Sequence, residues 1–265
     1  MNGEVSQTDI MRRVLYRDAL MLVIDKPAGL PVHRGPRNAA SRNAGGADTT
    51  LTDLLPDLRF GLPRAPELVH RLDRDTSGCL VLGRHRKALE RLGKLFSGNR
   101  ASKTYWAIVE GAPEADTGEI DLPLGPRDPD RGWWMKVDPA GQPALTRWRV
   151  LGRADGFSWL ALEPVTGRTH QLRVHCAASG FPILGDAIYG NAPRAGGPGL
   201  YLHARAITLP LYPKRDPIHV EAPPPDAMAS WLGQHGFDVP LPSGGNQLPS
   251  VMPGDGDGQE IAGAG

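Results

Sequence analysis

A chain of 265 residues and 28.5 kDa, 40% apolar and 6% aromatic, has room for one large domain or two small ones and enough apolar matter to bury a core. Its two cysteines, Cys79 and Cys176, cannot build a disulfide framework and form no CxxC pair, which argues for a reducing compartment and against structural zinc. The opening MNGEVSQTDIMRR lacks an apolar h-region and no run of about 18 apolar residues follows, so a cytoplasmic protein that does not enter the membrane is expected.

Residues 13–25, RVLYRDALMLVID, read as two short strands around a turn at Arg17-Asp18. In KPAGLPVH (26–33), Pro27, Gly29 and Pro31 enforce an irregular loop. Residues 34–50 are polar, small and glycine-rich, and are expected to be a flexible insertion. Thr50 is a cap candidate for a short helix over LTDLL. RLDRDTSG then leads into an apolar run, CLVLGR (79–84), of buried-strand character. Leu89, Leu92, Leu95 and Phe96 fall at helical spacing within 86–98, with Gly98 as the stop. KTYWAIVEG (103–111) is a strand by β-propensity, and 112–147 reads as hairpins and loops. A hairpin turning at Asp155-Gly156 occupies 147–167, Thr169 is the expected cap of a helix running to Gly180, and LYLHARAITLP (200–210) is a final strand. Many short strands with two or three helices predict an α+β fold with a mixed sheet rather than βαβ winding.

Charge is unevenly spread. Residues 216–265 hold seven acids and no Lys or Arg, so a net charge of +1 for the whole chain leaves +8 on residues 1–215. A basic body suits a polyanionic partner, although an ordinary charged surface would give the same count. After Phe237 the sequence is rich in Pro, Gly and Ser, and 238–265 is expected to be a disordered acidic tail.

Two segments could carry chemistry. In His70-Arg71-Leu72-Asp73-Arg74-Asp75-Thr76-Ser77-Gly78, a loop before an apolar strand, Asp73 stands between two arginines. A carboxylate near cations stays ionised and can serve as nucleophile or base, while a plain turn would use the same Asp, Thr and Ser for backbone bonds. In Gly167-Arg168-Thr169-His170-Gln171-Leu172-Arg173-Val174-His175, two Arg and two His gather at a helix start that favours anions. Arg173 lies on or near an apolar helix face, so its guanidinium needs a carboxylate in bidentate contact unless this is simply an exposed basic helix end. Tyr105, in a strand after a basic helix, can stack on a nucleobase or serve as a core tyrosine. Four histidines (His70, His170, His175, His203) raise a metal reading, but His170 and His175 are not an i, i+4 pair and no Glu lies between them, so no metal ligand is assigned. There is no GxSxG, GxxxxGK[ST] or GxGxxG after a strand to support a serine hydrolase or a nucleotide cofactor.

DKPAGLPVH (25–33), HRLDRDTSG (70–78), KTYWAIVEG (103–111), GRTHQLRVHCAASGFPILGDAIYG (167–190) and LHARAITLP (202–210) stand in the order found in the RluA-type pseudouridine synthases, and residues 13–237 resemble that family. The resemblance implies a bent, mixed and mainly antiparallel sheet with flanking helices and a central basic cleft. It implies isomerisation of uridine to pseudouridine in tRNA or rRNA stem-loops, with no cofactor and no metal. The matching positions make Asp73 the catalytic aspartate, Arg173 the guanidinium that pairs with and orients it, and Tyr105 the ring that stacks on the target base. Arg71 would fill the space left by a flipped nucleotide, with Arg74, Lys103, Arg168 and His170 as further RNA contacts. Extrusion of the base is required before its glycosidic bond can be reached, and a planar cation can fill the hole. Whether the carboxylate attacks C1′ or removes a ribose proton to give a glycal stays open. Many members carry an N-terminal S4 domain. Here about a dozen residues, 1–12, precede the first expected strand, so S4 is expected to be absent and the catalytic domain, 13–237, to grip structured RNA alone, as a monomer. A non-catalytic RNA-binding module with the same fold is the alternative.

Overall fold

The computed structural model describes residues 7–34, 49–128 and 134–239. The expected insertion at 34–50 and the acidic tail at 238–265 fall almost wholly outside the described residues.

Strands β1 (Val14–Arg17), β2 (Met21–Lys26), β3 (Glu67–Leu68), β4 (Ser77–Gly83), β5 (Ser102–Glu110), β6 (Thr117–Asp121), β9 (Leu145–Ala154), β10 (Phe157–Pro164), β11 (Leu202–Leu209) and β12 (Ile218–Glu221) form one sheet. Its order is β1-β2-β4-β11-β5-β10-β9-β6, with β12 beside β11 and β3 beside β4. Every pairing is antiparallel except β4 with β11, which makes the sheet mixed. A separate hairpin joins β7 (Leu124–Pro126) to β8 (Met135–Val137). Helices are α1 (Gln7–Arg12), α2 (Leu51–Leu54), α3 (Arg86–Ser97), α4 (Gln171–Ala178) and α5 (Asp226–Gln234).

The sheet is covered on both faces, which is why its central strands read as continuous apolar runs. On β2 the period of two sends Leu22 and Ile24 toward α2, where they meet Leu51, Leu54, Leu80 and Leu82. Met21 and Val23 go the other way, to Val81 and to Leu92 and Leu95 of α3. On β5, Ala107 and Val109 pack with Leu172 and Cys176 of α4, while Trp106 and Ile108 pack with Met228 and Leu232 of α5. Each fully buried Leu or Val contributes roughly 1.5–3 kcal/mol. Residues 7–12 belong to this body, since Ile10 of α1 is fully buried in the α2-side cluster.

Several local signals act as the sequence suggests. Asp53 accepts the Thr50 N–H at 2.9 Å and closes the start of α2. Asp155 and Gly156 turn the β9–β10 hairpin with φ of 52° and 80°. The cap of α4 differs from expectation. His170 precedes the helix in a left-handed conformation (φ 52°, ψ 19°), and Thr169 does not cap it. Gln171 reaches back instead, its Oε1 accepting Arg168 N–H at 3.0 Å and Thr166 Oγ1–H at 2.7 Å. That arrangement aims His170 at the loop before β4 rather than along the helix.

Where β4 meets β11, Gly78 pairs with Ala204 at φ +104°, and any Cβ there would collide with the Ala204 backbone. Both the backbone conformation and the close approach demand glycine. Gly78→Ala is expected to lower unfolding stability by about 2–4 kcal/mol, read as a lower urea midpoint at unchanged m-value.

Candidate active site

The cleft opens on one face of the sheet, where the α2-side and α4-side clusters meet. Tyr105 of β5 touches both clusters, and Leu72 and Leu172, one from each, line the opening. Its volume is about 430 Å³.

The 70–76 loop is fastened along its length. His70 Nε2 accepts Val81 N–H at 2.9 Å, and its ring stacks on Phe96 at 4.5 Å between centroids. Burial, and then the Lys103 charge, push its pKa down to about 3, so the ring is neutral. At Asp73 the chain turns back, with Thr76 N–H bonding Asp73 O at 3.2 Å. Fully buried Lys26 donates from Nζ to the carbonyls of Pro27, Leu30 and Arg74 at 2.8, 2.9 and 2.8 Å, tying the 26–33 loop to this one. Desolvation pulls its pKa down to about 7 against the pull of Asp75, Asp73 and Asp25. At the far end, Ser77 Oγ lies 2.9 Å from His203 Nδ1, and His203 Nε2 lies 3.2 Å from Ala222 O. The carbonyl requires the proton on Nε2, so Ser77 donates to Nδ1. Burial pushes His203 down to about 4.

The second wall is the loop into α4. Gln171 uses its whole amide, donating also to Leu145 O and Thr146 Oγ1, both at 3.0 Å. Arg173, 5% exposed, donates from Nε and Nη2 to the two carboxylate oxygens of Asp186, both at 2.8 Å. Asp186 is 1% exposed, and its Oδ1 also accepts the N–H groups of Ile188 and Tyr189 at 2.9 and 3.1 Å. Burial works against both charges, but each partner outweighs it. Asp186 is held below the usual carboxylate range and Arg173 above its ordinary value.

The free edge of the guanidinium faces Asp73, with Nη1 3.6 Å from Asp73 Oδ2. The expected Asp73–Arg173 pair is therefore a charge contact, and the bidentate bond goes to Asp186. That acid was missed. Its signal was a lone carboxylate in the apolar stretch FPILGDAIYG, thirteen residues after a buried arginine. Asp73 Oδ1 lies 3.8 Å from His170 Nε2.

Asp73, Tyr105, Arg173, Arg71, Lys103, Arg168 and His170 all line the one cleft. Arg74 does not; its Nε donates to Gly29 O at 3.1 Å and it braces the 26–33 loop. Lys103 is half-buried, its pKa is lowered by desolvation, and it has no acid or carbonyl partner among the described residues. A cation left so invites an anion from outside. Arg168 anchors its Nε on Pro143 O at 3.0 Å. Burial raises the Tyr105 hydroxyl pKa, and the Asp73 charge adds to it, so the phenol stays protonated. Among the described residues no group of three His, Cys, Asp or Glu could hold a metal ion, and no helix is long and apolar enough to cross a membrane.

Residues 20–178 match the family model for RNA pseudouridylate synthases. This chain belongs to that family. An uncharacterized RNA pseudouridine synthase of Zymomonas mobilis is 44% identical over 220 residues, covering 82% of this chain and 96% of its relative. Ribosomal large subunit pseudouridine synthase C of Vibrio vulnificus is 35% identical over 216 residues, 79% of this chain and 65% of that one. The structure of human RNA pseudouridylate synthase domain containing 4 superposes with a TM-score of 0.73 at 28% identity, covering 90% of this chain and 98% of that one. The protein is an RNA pseudouridine synthase, an isomerase that converts uridine to pseudouridine in RNA, and it has the α+β fold of that family.

Two outcomes test this construction of the synthase site. Asp186→Ala strips a buried guanidinium of its bidentate partner and should cost about 3–5 kcal/mol in urea unfolding. His70 and His203 have folded pKa values of about 3 and 4, below the ordinary 6.5, so the unfolded state binds more protons and stability falls as pH drops from 6.5 toward 4. His170 and His175, also lowered, add in the same sense. Asp25, raised by burial to about 6, acts oppositely between about 4 and 6 and offsets one histidine. The remaining loss is at least about 1.4 kcal/mol per pH unit, and a flat stability profile from pH 6 to 4 would contradict the neutral buried rings.

Proposed function

We propose that Asp73 is the carboxylate that acts on the glycosidic junction of a uridine swung into the cleft, and that the substrate is a structured RNA, a tRNA or rRNA stem-loop. The observation that carries this reading is the placement of Asp73 in the cleft, 18% exposed and 3.6 Å from a guanidinium whose Nε and Nη2 are already bonded to Asp186. Arg173 can stabilise the ionised carboxylate without being consumed by it, so the Asp73 lone pairs remain open to C1′ or to a ribose proton. The base must leave C1′, turn, and rejoin through C5, and the apolar wall of Leu72, Tyr105 and Leu172 gives it a surface on which to stay. Tyr105, protonated at working pH, offers a stacking face and a neutral hydroxyl near that ring.

Arg71 and Lys103, without acid partners among the described residues, are the RNA contacts best supported, and Arg71 fills the gap left by the extruded nucleotide. Arg168 and His170 complete the wall. An rRNA target has the further support of relatives named as ribosomal large subunit synthases. The chemistry uses only side chains of this chain, which acts in the cytoplasm as a monomer with Cys79 and Cys176 free and buried.

Asp73→Asn keeps the shape and removes the charge. It is expected to abolish pseudouridine formation while RNA affinity stays within a few-fold, because phosphate contacts dominate binding. Near-normal turnover in this variant would overturn the assignment. Pseudouridine mapping of cellular RNA with and without the gene identifies the target, and loss of sites confined to RNA outside tRNA and rRNA would refute the substrate class.

A further inference from the structure

Asp73 faces a second donor besides Arg173. Arg173 Nη1 stands 3.6 Å from Oδ2, and His170 Nε2 stands 3.8 Å from Oδ1. Behind the imidazole, His170 Nδ1 lies 2.8 Å from Tyr189 Oη, and the same oxygen accepts Met135 N–H at 3.0 Å. A phenol has one proton to give. The Met135 amide only donates, so the Tyr189 proton is available to His170 Nδ1. A neutral imidazole that accepts at Nδ1 carries its own proton on Nε2, the nitrogen beside Asp73.

The backbone is arranged for this. His170 takes φ +52°, a conformation that costs a non-glycine residue on the order of 1 kcal/mol and persists only where surroundings impose it. Val174 N–H holds its carbonyl at 3.0 Å, and the Tyr189 ring meets the imidazole edge-on, centroids 5.6 Å apart.

We propose that Tyr189 and His170 form a positioning relay for Asp73. Tyr189 locks His170 as the Nε2–H tautomer, and His170 presents a neutral donor to the carboxylate oxygen that Arg173 does not face. This rests on the reading that Asp73 carries the reaction. A neutral donor orients the carboxylate, whereas an imidazolium would make a second ion pair and blunt it as nucleophile or base. The charged and titratable groups facing His170 include Asp73 and Arg71 from the 70–76 loop, Arg173 from α4, and Asp186 and Tyr189 from the segment after α4. The two carboxylates favour a charged ring. Burial, the largest influence, and the two arginines oppose it and hold the pKa below the ordinary histidine value.

The test has two readouts. Long-range nitrogen–proton NMR on the labelled enzyme, with His170 identified by the signals lost in His170→Gln, should show a neutral ring protonated on Nε2 at pH 7. An Nδ1–H tautomer or a charged ring there overturns the proposal. Tyr189→Phe removes only the phenolic proton donor. It should lower kcat about tenfold at pH 6.5, move the acid limb of the rate profile up by about one pH unit, and leave KM for RNA within about twofold. A purely structural tyrosine would lower thermal stability without moving that limb, so an unmoved limb with unchanged kcat also overturns the relay. If Tyr189→Phe does not fold, the wild-type tautomer decides. Failure of the catalytic reading appears separately, as turnover by Asp73→Asn, which leaves the His170 tautomer unaltered.

Discussion

The guanidinium of Arg173 is shared unequally between two carboxylates, and the rest of the site is built around that inequality. Asp186 takes two short bonds and Asp73 takes none shorter than 3.6 Å. A buried cation must be neutralised locally or its desolvation cost would unfold the region. Asp186 does this from within, bonded to Arg173 and to two backbone amides. Asp73 therefore gains the field of a nearby positive charge without a bidentate bond to it.

The groups around this pair come from loops, and irregular backbone near a core leaves carbonyls and amides that must find partners. Lys26 and Gln171 supply them. The first gathers three carbonyls from two loops, and the second uses every polar atom of its amide between the entry to α4 and the start of β9. Each puts a polar side chain where an apolar one would strand several backbone groups. Cleft residues thus sit on irregular segments without inheriting the looseness of loops.

Much of this was legible in the chain. Apolar runs and β-propensity placed β2, β4 and β5, and the helical spacing of Leu89, Leu92, Leu95 and Phe96 placed α3. The Asp155-Gly156 hairpin followed from turn chemistry alone. Asp73, Tyr105 and Arg173 each had an ordinary reading, as a turn, a core ring or an exposed helix end, and it was the resemblance to the RluA-type family that singled them out. What escaped were the supports. Asp186 and Tyr189 lie thirteen and nineteen residues from their partners, Lys26 joins two nearby carbonyls to one 48 residues on, and no local pattern says that a lysine will cap three carbonyls or that a tyrosine will sit behind a histidine. The α4 cap was misread for the same reason. Thr169 has the right local chemistry, but Gln171, anchored on Leu145 and Thr146 some twenty-five residues away, sets the geometry instead.

The junction of β4 and β11 links Ser77 to His203 across 126 positions of chain. Closing so long a segment is entropically expensive and comes late when a polypeptide self-assembles. A growing chain can pair β1, β2 and β4 early, yet β11, which braces the end of the 70–76 loop, is still unsynthesised. A fragment that ends before β11 therefore lacks both the His203 partner of Ser77 and the parallel neighbour of β4.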